Sequence, residues 1–327
     1  YTYYNMSEEH FINYGLKDKP FFEESMPLLE SIQEPFYAHL LTLTHHHPYL
    51  IDEEDATIEP AETGDGSVDR YFQTARYLDE ALEQFFNDLK EAGLYDDSVI
   101  VIYGDHYGIS DNHNRAMAEI IGEEITPYQY AQLQRVPFLI KIPGVEGKGI
   151  VETYSSQIDI MPTLLHLLGI KAQDYIQFGT DMFSEGHKDY VVFRNGDFIT
   201  PTFSFIKDVF YDTKTGEELE PTEEMTQMKE TVQHELELSD KVLQGDLLRF
   251  YLPYEGWENV DTSEYFYNDG AEYLLEHGIM NRPELFEVEN SFDSEHTDQF
   301  PDYYQRDGDS NSTETDHIED IQEERIE

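Results

Sequence analysis

The chain has 327 residues, carries 70 acidic against 20 basic side chains for a formal net charge of −50, and contains no cysteine. That charge excludes nucleic acid as a partner, because binding it requires Lys and Arg to replace phosphate counterions, and it equally excludes a polybasic grip on anionic lipid. The absence of cysteine removes disulfides and thiolate metal sites, while 39% hydrophobic residues leave ample material for a core.

The acidity reads as a solvated surface suited to a salty or alkaline exterior. No run approaches the roughly 18 apolar residues of a membrane span. The chain opens on "YTYYNMSEEHF" without a leading methionine, so an export or membrane segment is expected upstream.

In chain order, "PFYAHLLTLT" (35–44) is a short apolar run and predicts a strand buried on both faces. "SVDRYFQTARYLDEALEQFFNDLKEAGL" (67–94) places Tyr71, Ala75, Leu78, Leu82, Phe85 and Leu89 at spacings of four and three. This predicts an amphipathic helix with Ser67 as N-cap and Gly93 as its stop. "SVIVIYGD" (98–105) is β-branched and predicts a central strand. Strand, helix and strand in this order predict a βαβ unit with two parallel strands.

"RVPFLIKIPG" (135–144) predicts a further strand, and "SSQIDIMPTLLHLLGI" (155–170) a helix ending at Gly169. Beyond about residue 178, "DYVVFRNGDFIT" and "FSFIKDVFYDTKTGEELE" alternate apolar and polar residues around Asn-Gly and Thr-Gly turns. They predict an antiparallel meander, followed by a helix over roughly 222–250. Residues 253–282 are an ambiguous extension that Trp257, the single tryptophan, would pin to the domain. The acidic, Ser/Thr/Asn-rich stretch 283–327 cannot bury enough apolar surface to offset its ordering entropy and is expected to be disordered.

Ligands of an open parallel sheet sit beyond the carboxyl ends of its strands. Asp105 and His106 occupy that end of one predicted strand, and His45, His46 and His47 follow the end of the other. A carboxylate beside an imidazole suits a divalent ion such as Mn or Zn, although two ligands do not complete a site. The competing reading is a strand-end aspartate capping its loop beside a packed histidine. The second histidine cluster at the same edge tips the balance towards a metal or phosphate site.

Gly104 and Gly108 allow the turn that would bring Asp105 and His106 together. His113, in the Asn/Asp-rich "SDNHN", is read as support rather than as a ligand, and His166 in "PTLLHLLGI" as a core histidine. Asp159 is given a capping role. G-x-S-x-G, the GKS/GKT phosphate loop and GxGxxG are all absent from these segments, which argues against serine-triad hydrolases, NTPases and dinucleotide enzymes.

"VIVIYGDHYGISDNHN", "QTARYLDEAL", "RVPFLIKIPG", "QIDIMPTLLHLLGI", "FGTDMF" and "FRNGDFIT" together resemble the extracellular catalytic domain of the lipoteichoic acid synthase family, in the sulfatase branch of the alkaline phosphatase superfamily. "DIMPTLLHLLGI" and "YGDHYG" alone would indicate only the broader sulfatase-like group. The resemblance covers residues 10–252 and implies an α/β fold. Its parallel-rich sheet would be sandwiched by helices (1–177), with a smaller antiparallel β-plus-helix subdomain (178–252) and the N-terminal part of the fold missing.

The resemblance also implies chemistry. The family transfers glycerol phosphate from phosphatidylglycerol to a glycolipid-anchored polyglycerol phosphate through a covalent threonine intermediate near Mn2+, with Mg2+ or Zn2+ as alternatives. Carried over by motif, Asp105 and His106 are metal ligands and His46 contacts the substrate, with His45 and His47 as competing rings. The threonine, a glutamate ligand and five transmembrane helices would lie upstream. The enzyme is thus expected at the cell membrane of a Gram-positive bacterium, its catalytic domain extracellular and open to release by cleavage, and these 327 residues alone are expected to be inactive. The alternatives are another sulfatase-superfamily hydrolase or phosphoglycerol transferase, or a non-catalytic acidic surface domain.

Overall fold

The structure is a computed structural model that describes residues 4, 7–13, 15–145, 149–171 and 175–251. The expectations for 253–282, including Trp257, and for the acidic stretch 283–327 lie outside the described residues.

A small hairpin, β1 (Phe11–Ile12) with β2 (Gly15–Leu16), leads into helix α1 (Asp18–Ser31). Helix α2 (Gly66–Glu91) begins two residues earlier than the sequence suggests. Its N-cap is Asp65, whose Oδ1 accepts the backbone N–H of Ser67 and Val68, so Ser67 is capped rather than capping. The helix closes at Gly93, which takes φ +76° as a left-handed stop requires.

The two helices pack through Phe22, Met26 and Leu29 against Ala81, Phe85 and Leu89, with Phe22 and Phe85 stacked at 4.5 Å. The buried stripe of α2 runs through Thr74, Tyr77 and Ala81, turned slightly from the predicted one.

Strand β3 (Ile100–Tyr103) and strand β4 (Phe138–Lys141) form where expected, joined by helices α3 (Asn114–Ile121) and α4 (Pro127–Leu133). They pair antiparallel, Ile100 opposite Lys141 and Tyr103 opposite Phe138. The predicted βαβ pairing does not form: residues 35–44 make no ladder with any segment among the described residues. A strand persists only where a neighbour takes its N–H and C=O groups. Here Asp18 takes the N–H groups of Leu43 and Thr44, while Tyr37 is 87% and Leu41 64% exposed.

Helix α5 (Ile160–Leu167) ends at Gly169 as predicted. The meander is a five-stranded antiparallel sheet in sequential order: β5 (Val191–Val192), β6 (Phe198–Ile199), β7 (Phe203–Ile206), β8 (Val209–Asp212) and β9 (Glu218–Leu219). Its tightest turn, Lys207-Asp208, has both residues at positive φ, the geometry that matches the twist of a two-residue hairpin. Helix α6 (Glu223–Gln244), N-capped by Thr222, lays Met225 and Val232 on Phe198, Phe203, Phe205 and Phe210. On α4 the same sheet packs Ile199, Ile206 and Tyr211 against Ala131.

Candidate metal centre and its histidines

Strand β3 delivers Asp105 and His106 into the turn that follows it. Gly104 and Gly108 flank that turn, but neither takes a positive φ. Their need is for space: a Cβ on Gly104 would lie 2.8 Å from Val136 Cβ, and one on Gly108 2.8 Å from the Tyr71 ring. The turn is thus pressed against the segment leading into β4 and against α2.

The His106 backbone N–H donates to Asp105 Oδ1 at 3.0 Å, and the ring Nδ1–H donates to the Tyr107 carbonyl at 2.8 Å. A carbonyl only accepts, so the proton sits on Nδ1 and the Nε2 lone pair is available for a ligand. Nε2 stands 3.7 Å from Asp105 Oδ1, with both side chains more than half exposed. Two donors each about 2.1 Å from one ion lie at a comparable spacing. Oxygen plus imidazole nitrogen is a donor set that suits Mn, Mg or Zn. Among the described residues no group of three or more His, Asp or Glu side chains is placed to hold a metal, so Asp105 and His106 form an incomplete set.

The three consecutive histidines separate into three environments. The Thr74 hydroxyl donates to the Tyr71 carbonyl at 3.0 Å and so accepts from His45 Nδ1–H at 2.9 Å. His45 packs on Tyr49 and Tyr71, and burial pushes its pKa down from 6.5 to about 4. His46 instead meets His106 edge-on, rings 5.8 Å apart at 89°. Its Nδ1–H donates to the His47 carbonyl at 2.8 Å. His47 is exposed and faces His113 at 6.1 Å. Partial burial and the charge of His113 depress its basicity.

His113 donates from Nδ1 to Asp65 Oδ2 at 2.7 Å. Against the opposing effect of burial, this bond and the helix N–H groups hold the Asp65 carboxyl below the ordinary range. One carboxylate therefore caps α2 and orients a histidine 48 residues away, a link invisible in sequence spacing. Arg70, Tyr49 and Asp18 also escaped the sequence reading. Asp18, fully buried, anchors the backbone just before His45.

His166 is not a core histidine. Its side chain, in the last turn of α5, is 61% exposed and pairs with Asp181 at 2.6 Å. Asp159 is buried and caps the 3-10 turn (Gln157–Asp159) that leads into α5, accepting from Ser156 N–H (2.9 Å) in a capping box, while its other oxygen accepts from Thr180 N–H (2.7 Å). Beside it, Gln157 reaches the carbonyls of Gly104 (3.3 Å) and Asp105 (3.4 Å).

The His45 environment has a measurable consequence. Its folded pKa is depressed, so the unfolded chain binds the extra proton and stability falls as pH drops from about 6.5 towards 4. The thermal midpoint of wild type is expected to fall more steeply across that window than that of His45→Asn. Equal slopes would contradict the buried neutral imidazole.

Residues 1–170 match the family model described as Sulfatase. The chain is 61% identical over 269 residues to lipoteichoic acid synthase 1 of Bacillus subtilis, covering 82% of this chain and 42% of that protein. It is 52% identical over 271 residues to the lipoteichoic acid synthase of Staphylococcus aureus strain USA300, with the same coverage. The crystal structure of the lipoteichoic acid synthase LtaP from Listeria monocytogenes aligns with TM-score 0.65 at 28% identity, over 73% of this chain and 62% of that one. The chain thus spans about two fifths of the length of the curated relatives it matches.

Proposed function

The chain belongs to the sulfatase family, in the branch that contains the lipoteichoic acid synthases, and from that premise we propose that it is part of a metal-dependent glycerophosphotransferase. Its substrates are phosphatidylglycerol and a glycolipid-anchored polyglycerol phosphate. The observation that carries this reading is the convergence of His46 on His106 at 5.8 Å, beside the Asp105 carboxylate.

In this proposal Asp105 and His106 hold a divalent ion, Mn2+ by preference and Mg2+ or Zn2+ otherwise. When bound, the ion draws charge from the phosphoryl oxygens and makes a hydroxyl more nucleophilic at neutral pH. His106 is prepared by its own turn, since the Tyr107 carbonyl fixes the proton on Nδ1 and leaves Nε2 to coordinate. His46, held by the His47 carbonyl, contacts the glycerophosphate and donates to or exchanges protons with it.

Transfer proceeds by two in-line displacements. A threonine oxygen bonds to phosphorus as the bond to diacylglycerol oxygen breaks. The terminal glycerol hydroxyl of the polymer then bonds to phosphorus and takes the glycerophosphoryl group as the threonine oxygen–phosphorus bond breaks, its proton returning to the threonine oxygen. That threonine and the remaining metal ligand belong to the part of the relatives that this chain does not cover. The same uncovered part supplies the membrane anchor, with the catalytic domain outside the cell. Among the described residues no helix is long and apolar enough to cross a membrane.

The test uses the complete protein with labelled phosphatidylglycerol and Mn2+. Diacylglycerol is expected to appear in step with polymer-bound glycerol phosphate, while residues 1–327 alone show no turnover. Release of free glycerol phosphate without polymer would identify a hydrolase instead, and turnover by the isolated chain would place the nucleophile within it.

A further inference from the structure

Four hydrogen bonds fix the turn that carries His46, and one of them crosses to the turn that carries Asp105 and His106. The Tyr49 N–H donates to the His46 carbonyl at 2.7 Å. From α2, the Arg70 guanidinium donates to the Pro48 carbonyl at 3.0 Å and the Tyr49 carbonyl at 3.2 Å. The crossing bond runs from the Tyr49 hydroxyl to the Gly108 carbonyl, two residues beyond His106.

Tyr49 is 2% exposed and sits edge-on against Tyr71 at 5.0 Å, the same ring that closes on Gly108. The hydroxyl therefore has one place to go. A planar fork with several donors spans two successive carbonyls, a task for which a lysine ammonium is poorly shaped.

On the functional reading above, we infer that Tyr49, seated by Arg70, is a positioning residue that sets the spacing of His46 and His106. It touches neither substrate nor ion; it acts through the two turns that carry those groups. Groups hydrogen-bonded directly to a ligand change metal affinity or activity by about 10- to 100-fold when lost, and Tyr49 acts one step further out, through the Gly108 carbonyl, so the low end of that range is expected.

The experiment uses the complete protein and compares wild type, Tyr49→Phe, Arg70→Leu and Tyr190→Phe. Tyr190→Phe removes a tyrosine hydroxyl bonded to Glu235 at 2.8 Å, far along the chain in the small-sheet region, and controls for loss of a hydroxyl as such. Tyr49→Phe keeps the buried ring and is expected to weaken the Mn2+ Kd about tenfold and lower kcat by a similar factor. KM for phosphatidylglycerol stays within about twofold. Arg70→Leu is expected to move the same two quantities, and Tyr190→Phe neither. An unchanged Mn2+ Kd and kcat in Tyr49→Phe would overturn the inference. If wild type binds Mn2+ yet releases no diacylglycerol, glycerophosphotransfer fails as a reading, while the Kd comparison still decides the role of Tyr49.

Discussion

His106→Ala in the complete protein is expected to lower glycerol phosphate transfer on the order of 10³-fold, with Mn2+ affinity falling alongside. A factor of that size corresponds to about 4 kcal/mol of lost transition-state stabilisation, within what a bound ion contributes by drawing charge from a phosphoryl group. The side chain is 55% exposed, and its Nδ1–H serves only the neighbouring Tyr107 carbonyl. Removing an exposed side chain of this kind shifts stability by no more than about 0.5 kcal/mol. Activity and melting temperature therefore separate: the first collapses while the second barely moves. Raising Mn2+ should restore part of the lost rate, since Asp105 still contributes one oxygen. A variant as active as wild type would remove His106 from the site.

His46→Gln is expected to carry the second large effect, a fall in kcat of about 10²- to 10⁴-fold, the range a positioned acid or base supplies. Glutamine keeps a hydrogen-bonding group of similar reach but cannot exchange a proton with the substrate, so the rate should fall while KM changes little. His45→Asn provides the contrast within the same tripeptide. His45 faces Thr74, Tyr49 and Tyr71 rather than His106, so its loss is expected in stability first. If His45→Asn and His46→Gln lost activity equally with unchanged melting temperatures, the assignment of the rings would be wrong.

The elements that sequence revealed are those whose pattern is local. The long amphipathic period marked α2, the β-branched run marked β3, and Gly93 and Gly169 marked helix ends through their left-handed geometry. Helix α1 stayed hidden although Phe22, Met26 and Leu29 follow helical spacing, because Pro27 inside it reads as a breaker. The strand expected at 35–44 failed for the opposite reason. Its residues favour a strand, but pairing is decided by a neighbour, and among the described residues none is supplied.

The site was legible to a similar depth. Asp105 and His106 stood out as an acid and an imidazole at the end of an apolar strand. The resemblance singled out His46, which the structure sets against His106. Direction could not be read from sequence: three identical rings in a row differ only in where the turn closed by the Tyr49 N–H aims them. The Asp65–His113 pair and the Tyr49–Gly108 bond join residues 48 and 59 positions apart, beyond the reach of any local spacing rule. The glycines flanking the turn of Asp105 and His106 were noticed for the wrong reason, since close packing against Val136 and Tyr71, rather than positive φ, excludes a side chain.

On the proposed function, Asp105 and His106 supply part of one divalent-ion site that His46 faces. Anomalous diffraction from crystals of the complete extracellular part grown with Mn2+ tests it most directly. A single strong manganese peak is expected within about 2.3 Å of both the Asp105 carboxylate and His106 Nε2, with the remaining ligands drawn from outside this chain. A manganese peak elsewhere, with His106 Nε2 bonded only to water or protein, would contradict it.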